Sequence, residues 1–356
     1  MDIDRTISRR GLLAAAGLGI AGALAGCTGS PGSTPASSEG KAGSYEATKK
    51  SDPVEVRVAS LKGPTSIGLV SFMDKAQNRP SSFDNTYSFT VSTAADEILP
   101  QLIKGGVDIA LIPANAAATV YNKTKGAVTC LDINTLGVLS VVTGDASVTG
   151  FKDLAGKTVY LTGKGATPEY VMAYLLDAFG LTGSVGLEFK SEAAEVVSVL
   201  SSDPAAVGVL PQPFVTAALA KNPSLAAPVD LTDVWDSVVE ADGGKSQLVT
   251  GVTVVRDEFL KEHEPAVREF LLAQSASVKA VSSDPATAAP LAVKAGIIES
   301  EPIAAKAIPG CHLVCITDEE MRDALSGYLK VLHAANPASV GGKLPGDDFY
   351  YQTVQQ

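Results

Sequence analysis

Residues 161–171, LTGKGATPEYV, have the make-up of a turn that holds a phosphate or another polar group. Gly163 and Gly165 flank Lys164, and Thr167 and Pro168 open what reads as a helix. Glycines let a backbone come close to a ligand, and free N–H groups at a helix start favour anionic or polar groups. A nucleotide-binding P-loop is ruled out by spacing, because Lys164 is followed by Gly165 rather than by Ser or Thr. The plain reading is a well-started helix, with Thr167 as N-cap, Pro168 at the first helical position and Glu169 in the first turn. Glu169 weighs against a strongly anionic ligand unless it points away. Catalytic groups are sparse. The 3 histidines, His263, His312 and His333, are scattered, none is paired at metal-ligand spacing, and there is no G-x-S-x-G elbow. The sequence therefore reads as a non-enzyme, with no metal and no cofactor expected.

The elements that position this turn occur twice. Residues 92–123, STAADEILPQLIKGGVDIALIPANAAATVYNK, align with 191–222, SEAAEVVSVLSSDPAAVGVLPQPFVTAALAKN. Upstream, VRVASLKGPTSIGLVSFMDKA (56–76) aligns with KTVYLTGKGATPEYVMAYLLDA (157–178), so Gly63 pairs with Gly165 and Thr65 with Thr167. Each copy reads as apolar strands alternating with helices, which implies a mostly parallel sheet flanked by helices. Two copies imply two lobes. Ligands of open α/β sheets sit outside the carboxyl ends of the strands, so the turns 61–66 and 163–168 are expected at one shared cleft. The tail after the second copy holds one strand within LVTGVTVVRDEF (248–259), then helices at 258–281 and from a Thr317-to-Glu320 capping box to about Ala335. The tail is expected to return to the first lobe, with crossings near Thr143–Ser147 and Gln247–Gly251. The expected division is lobe 1 at 53–143 and 250–356, and lobe 2 at 144–249.

The front of the chain reads as an address. Ser8-Arg9-Arg10-Gly11-Leu12-Leu13 is a twin-arginine export pattern, and an apolar run from Leu12 to Leu24 follows, short for a membrane span. The run ends in Leu24-Ala25-Gly26-Cys27, a lipobox that predicts a signal peptide over 1–26 and lipidation of Cys27. Gly17-Leu18-Gly19-Ile20-Ala21-Gly22 matches the dinucleotide fingerprint, but it lies inside the export signal and lacks the strand and helix that fingerprint needs. Residues 27–52 then read as the lipidated Cys and a flexible linker rich in Ser, Gly and Pro. One lipid with no spanning segment means anchored, not integral. A formal charge of −11 argues against a nucleic-acid surface. Cys130, Cys311 and Cys315 remain; a disulfide is permitted in an exported protein, Cys311 to Cys315 is too far along a strand, and three free thiols are the alternative.

With LKGPTSIGL closing the first strand, IPANAA the third, GKGATPEY in the second lobe and GGKLPGDDFYY near the end, the chain resembles the solute-binding lipoproteins of ABC importers. Within them it is similar to the nitrate, sulfonate, taurine and thiamine-precursor group. The resemblance implies a type II periplasmic-binding fold that closes by a hinge over its ligand. It also implies a monomer, lipid-anchored through Cys27 at the outer face of the cytoplasmic membrane, which captures a small polar or anionic organic solute and delivers it to the permease subunits of an ABC importer. The residues expected at the ligand are Lys62, Gly63, Pro64, Thr65, Ser92, Thr93, Pro113 and Asn115 in the first lobe. In the second they are Lys164, Gly165, Thr167, Gln212 and Phe214. Short polar groups on turns suit a small neutral or singly charged ligand. Two alternatives stand beside this reading: a sensor or adhesion lipoprotein without a transport role, and an enzyme of the thiamine-precursor-pyrimidine type, of which CHLVC (311–315) is a thin echo.

Overall fold

The computed structural model describes residues 52–241 and 246–353. The export signal, the lipobox and the linker expected in the sequence lie outside them. The chain first lays down β1 (Glu55–Leu61), α1 (Pro64–Ile67), α2 (Val70–Asn78), β2 (Thr86–Ser92) and α3 (Ala95–Lys104). β3 (Ile109–Pro113), α4 (Ala114–Thr124) and β4 (Val128–Leu136) follow. A second run holds β5 (Leu139–Thr143), β6 (Thr158–Leu161), α5 (Thr167–Ala178), β7 (Gly186–Phe189) and α6 (Ala193–Ser202). It continues with β8 (Val207–Pro211), α7 (Phe214–Lys221), β9 (Ala226–Asp230) and α8 (Leu231–Ala241). The tail is β10 (Val249–Arg256), α9 (Asp257–Ser283), α10 (Pro285–Lys294), α11 (Glu301–Ala307), β11 (Leu313–Ile316) and α12 (Asp318–Ala335).

These strands make two sheets, ordered β11-β4-β10-β3-β1-β2 and β7-β6-β8-β5-β9. The sheets are the centres of two lobes, each flanked by helices. β3 shows why the first sheet is covered on both faces. Its Ile109 and Leu111 join one apolar cluster with Val56, Val58 and Phe270, while Ala110 and Ile112 join another with Ile133 and Val254. That alternation follows from the two-residue period of a strand.

In each sheet the strand that follows a crossing runs backwards. β5 is antiparallel to β8, and β10 is antiparallel to β3 and β4, whereas β1 is parallel to β2 and β3, and β6 to β7 and β8. The reason is geometric. Chain that has just crossed from the other lobe starts at the end where the parallel strands finish, so it must run the opposite way. This corrects the crossing expected near Thr143–Ser147. β5 is paired in the second sheet, so the first crossing is Gly137–Val138. The second crossing falls between α8 and β10. The two crossings lie side by side, because a Cβ built on Gly137 would stand 2.3 Å from Thr232 Oγ1 and 2.8 Å from Leu248 Cδ2.

The tail returns to the first sheet through β10 and β11, but α12 also packs on the second lobe. Tyr328 of α12 meets Trp235 of α8 with ring centroids 5.4 Å apart, and Trp235 meets Tyr174 of α5 at 4.9 Å. Trp235 and Tyr328 are fully buried, each contributing on the order of 2–3 kcal/mol by area alone. α9 is kinked at His263, ahead of Pro265, whose ring removes one helical hydrogen bond. At the start of α12 the expected capping box does not form. Asp318 sits at φ 57°, its carboxylate accepts the Thr353 N–H at 2.6 Å, and the Thr317 hydroxyl donates to Asp318 instead of capping the helix. Cys130, Cys311 and Cys315 are free thiols.

Candidate functional site

The strands β1, β2, β3 and β4 share a direction and end at Leu61, Ser92, Pro113 and Leu136; in the other sheet β6, β7 and β8 end at Leu161, Phe189 and Pro211. The turns that follow these ends carry the predicted ligand residues. In the first lobe, Gly63 is buried at φ 137°, a conformation that favours glycine, and it lets the chain fold straight into α1. The Thr65 hydroxyl then donates to Leu61 O at 3.1 Å and the Ser66 hydroxyl to Ser60 Oγ at 2.6 Å. Lys62 donates its N–H to Ser92 O at 2.8 Å, which ties this turn to the end of β2. Pro64 is half-buried and Ser92 buried. Thr93 is exposed and donates its hydroxyl to Glu97 at 3.0 Å. Pro113 is half-buried and ends β3 two residues before Asn115, which is buried near the start of α4.

In the second lobe, Gly163 and Gly165 both have positive φ, 78° and 76°. Ala166, not Thr167, is the N-cap of α5, Thr167 is the first helical residue and Pro168 the second. The Thr167 hydroxyl is thereby released from capping and points across the molecule. It donates to Asn115 Oδ1 at 3.3 Å, and both side chains are buried. Asn115 in turn donates to Ser339 O at 3.4 Å. This is a direct polar bridge between the helix starts of the two lobes. The sequence paired the 163–168 turn with the 61–66 turn; the hydrogen-bonded partner is the start of α4.

Gln212 and Phe214 follow β8 and are half-buried. The Gln212 side chain accepts from the Thr216 hydroxyl at 2.9 Å, and its amide stands so close to Gly310 that a Cβ there would meet Nε2 at 3.2 Å. Phe214 packs on the lobe's own apolar cluster. Lys62 and Lys164 are exposed, and the Gly165 N–H is taken by the Glu169 carboxylate. The structure thus brings together Asn115 and Thr167, and links Lys62 with Ser92, while Thr93 and both lysines face solvent. Surface grooves of about 600 Å³ between α2, β2 and α10, and of about 740 Å³ between α5 and α12, are lined by none of the predicted ligand residues.

Two features were not read from the sequence. Tyr328 is fully buried beside Thr167, and its hydroxyl makes no hydrogen bond of normal geometry. A column of buried polar side chains also runs down through the first sheet. The Thr135 hydroxyl donates to Asn134 Oδ1 at 2.9 Å, Asn134 Nδ2 to Thr253 Oγ1 at 3.2 Å, and Thr253 to Asp132 Oδ1 at 2.9 Å. Gln274 Nε2 donates to the same Asp132 oxygen at 3.2 Å, which leaves Asp132 Oδ2 and Gln274 Oε1 buried without a partner. Burial pushes Asp132 up to about 7, against the hydrogen bonds from Thr253 and Gln274. The column reaches the turn after β1, because a Cβ on Gly251 would lie 2.5 Å from Thr65 Cγ2 and 2.6 Å from Asn134 Oδ1. Its only signal in the sequence was an Asp, an Asn and two Thr within the strand VTCLDINTL.

The one buried ion-pair cluster among the described residues lies away from this seam. Asp108 holds Arg57 at 2.6 Å and Arg256 at 3.1 Å at the opposite end of the first sheet, where β1 and β3 begin and β10 ends. The paired guanidinium of Arg57 is raised and the Asp108 carboxyl lowered, the latter by hydrogen bonds that outweigh its burial. No group of three or more His, Cys, Asp or Glu among the described residues is arranged to hold a metal ion.

Comparison with known proteins agrees with this architecture. Residues 123–288 match the family described as NMT1/THI5 like. No curated protein matches the chain. An ABC transporter protein from Parabacteroides distasonis is 24% identical, with a TM-score of 0.70 over 84% of this chain and 99% of that one. The periplasmic aliphatic sulphonate binding protein SsuA from Escherichia coli is 13% identical, with a TM-score of 0.67 over 84% of this chain and 92% of that one. The ligand-binding component of an ABC-type import system from Staphylococcus aureus is 13% identical, with a TM-score of 0.64 over 84% and 96%. The chain thus has the two-lobed fold of the solute-binding components of ABC importers and carries an NMT1/THI5-like segment, as its turn motifs had indicated.

Proposed function

We propose that the protein is an exported, lipid-anchored solute-binding protein that captures a small polar or anionic organic solute between its lobes and hands it to the permease of an ABC importer. The observation that carries this is the Thr167–Asn115 bridge. It joins two helix starts, one from each lobe, where repeated strand-to-helix turns converge. Hydroxyls and amides from both lobes, with crossings at Gly137–Val138 and before β10, are what a solute needs in order to be gripped by closure. The bridge across the seam is made by small polar side chains, Asn115 and Thr167, which favours ligand capture over a sensor or adhesion role. The scattered histidines favour binding over catalysis, and the free thiols Cys130 and Cys311 are held as protonated thiols by burial. The twin arginines and the lipobox at Cys27 supply the export and anchoring part of the proposal. Thr65 and Thr167, with Ser92, Asn115, Gln212 and Phe214, form the proposed ligand set, and Lys62 and Lys164 stand at its solvent side.

The test is mass spectrometry of small molecules released when the natively purified protein is denatured. One solute recovered in near-stoichiometric amount from the wild type, and in reduced amount from Thr167→Val, is the expected result. Equal recovery from both, or no solute that the refolded chain rebinds from a cell extract, would contradict it.

A further inference from the structure

The helix starts at the seam already carry carboxylates. Glu169 accepts the N–H of Gly165 ahead of α5, Glu195 accepts that of Ser191 ahead of α6 at 3.2 Å, and Glu97 accepts the Thr93 hydroxyl ahead of α3 at 3.0 Å. Each glutamate lies in the first turn of a helix that follows a strand end. A helix start offers partial positive charge and free donors to an anion; here a side chain of the same helix meets that charge. No buried cation compensates. Among the described residues the buried charged side chains are Asp108 and Asp132, both acidic, and no Lys, Arg or His is buried. Arg57 and Arg256 are engaged by Asp108 at the far end of the sheet. What the seam does offer is neutral. Asn115 and Thr167 meet each other, and the Tyr328 hydroxyl, fully buried at the start of α5, has no partner of normal geometry.

We infer that the solute is an uncharged polar organic molecule, and that Glu169 is the residue that denies the α5 start to anions. The inference rests on the solute-binding reading above and narrows it. A sulfonate or nitrate entering the seam faces the Glu169 carboxylate at Gly165. It also loses its hydration without gaining a buried counter-charge, which is costly. An uncharged solute exchanges its hydrogen bonds to water for bonds to Asn115, Thr167 and Tyr328 and has no charge to desolvate. Lys62 and Lys164 are exposed and stay hydrated, so they do not offset that cost.

The experiment titrates sodium ethanesulfonate and sodium nitrate into the wild type, Glu169→Gln and Glu169→Ala, by calorimetry and by thermal melting. The expected result is no wild-type binding tighter than roughly 10 mM, and a gain of at least roughly tenfold in the variants, larger for Glu169→Ala because it also frees the Gly165 N–H. Saturable wild-type binding of either anion below roughly 1 mM would overturn the inference, as would folded variants that bind no better than the wild type. If the variants do not fold, the wild-type titration alone decides. Wild-type ethanesulfonate binding would leave solute capture intact while refuting the uncharged class. Solute capture itself stands or falls on the released-molecule measurement.

Discussion

A single hydrogen bond, from Thr167 to Asn115 across 52 residues of sequence, carries more of the functional reading than any motif. Neither residue has a local signature that announces the contact. Thr before Pro and Glu has the local pattern of a helix cap. The cap position falls on Ala166, and the hydroxyl is free to cross between lobes. Thr167→Val therefore costs no cap. It should weaken closure by about 0.5–1.5 kcal/mol, a loss of roughly two- to tenfold in affinity for the copurified solute, measured by calorimetry, with melting of the solute-free protein nearly unchanged. A large drop in that melting temperature would mean that the bond is structural. Asp132 gives a prediction of opposite kind. Its ordinary value is 3.8 and its folded value about 7. Between those limits the folded state holds a proton that the unfolded state lacks, so this group's contribution to stability falls as pH rises from about 4 to about 7. Denaturant unfolding of wild type and Asp132→Asn at several pH values should show the wild type losing up to a few kcal/mol relative to the variant across that window. A difference that is flat with pH would contradict burial of a titrating carboxyl.

At the level of elements, the repeat made two lobes legible, because apolar strands and capped helices recur in the same order and a parallel sheet needs no more than that. The position of the first crossing was not legible. LGVLSVVT reads as continuous apolar strand, and Gly137–Val138 offers no polar break. Only its pairing, with β8 on one side and β9 on the other, shows that β5 belongs to the second sheet. Gly137 is instead the point where both crossings touch, with Thr232 and Leu248 filling the space a side chain would need. Gly137→Ala should therefore destabilise the protein by about 1–3 kcal/mol in chemical denaturation. Gly150→Ala, where a Cβ would meet its nearest atom at 3.9 Å, serves as the control. Equal costs would show that the crossings are not packed as described. The tail was legible as helices but not as a bridge. The contact of Tyr328 with Trp235 joins α12 to the second lobe through side chains 93 positions apart, beyond any local pattern.

For the whole molecule, the front end and the body make separate claims. Cys27→Ala should release the protein from the membrane fraction while leaving the body's melting unchanged; retention after a carbonate wash would argue against the lipid. No helix among the described residues is long and apolar enough to cross a membrane. The body's claim is that two lobes, meeting at Asn115 and Thr167 and joined by two crossings, close on a solute. Ligand favours the closed form by the contacts made only there. Small-angle X-ray scattering tests this most directly. The protein is measured as purified, then after unfolding, dialysis and refolding to strip any solute, and then after a small-molecule cell extract is returned. The account predicts a larger radius of gyration for the stripped protein, reversed by the extract. Superimposable curves from all three samples, when the purified protein has been shown to release a solute, would contradict it.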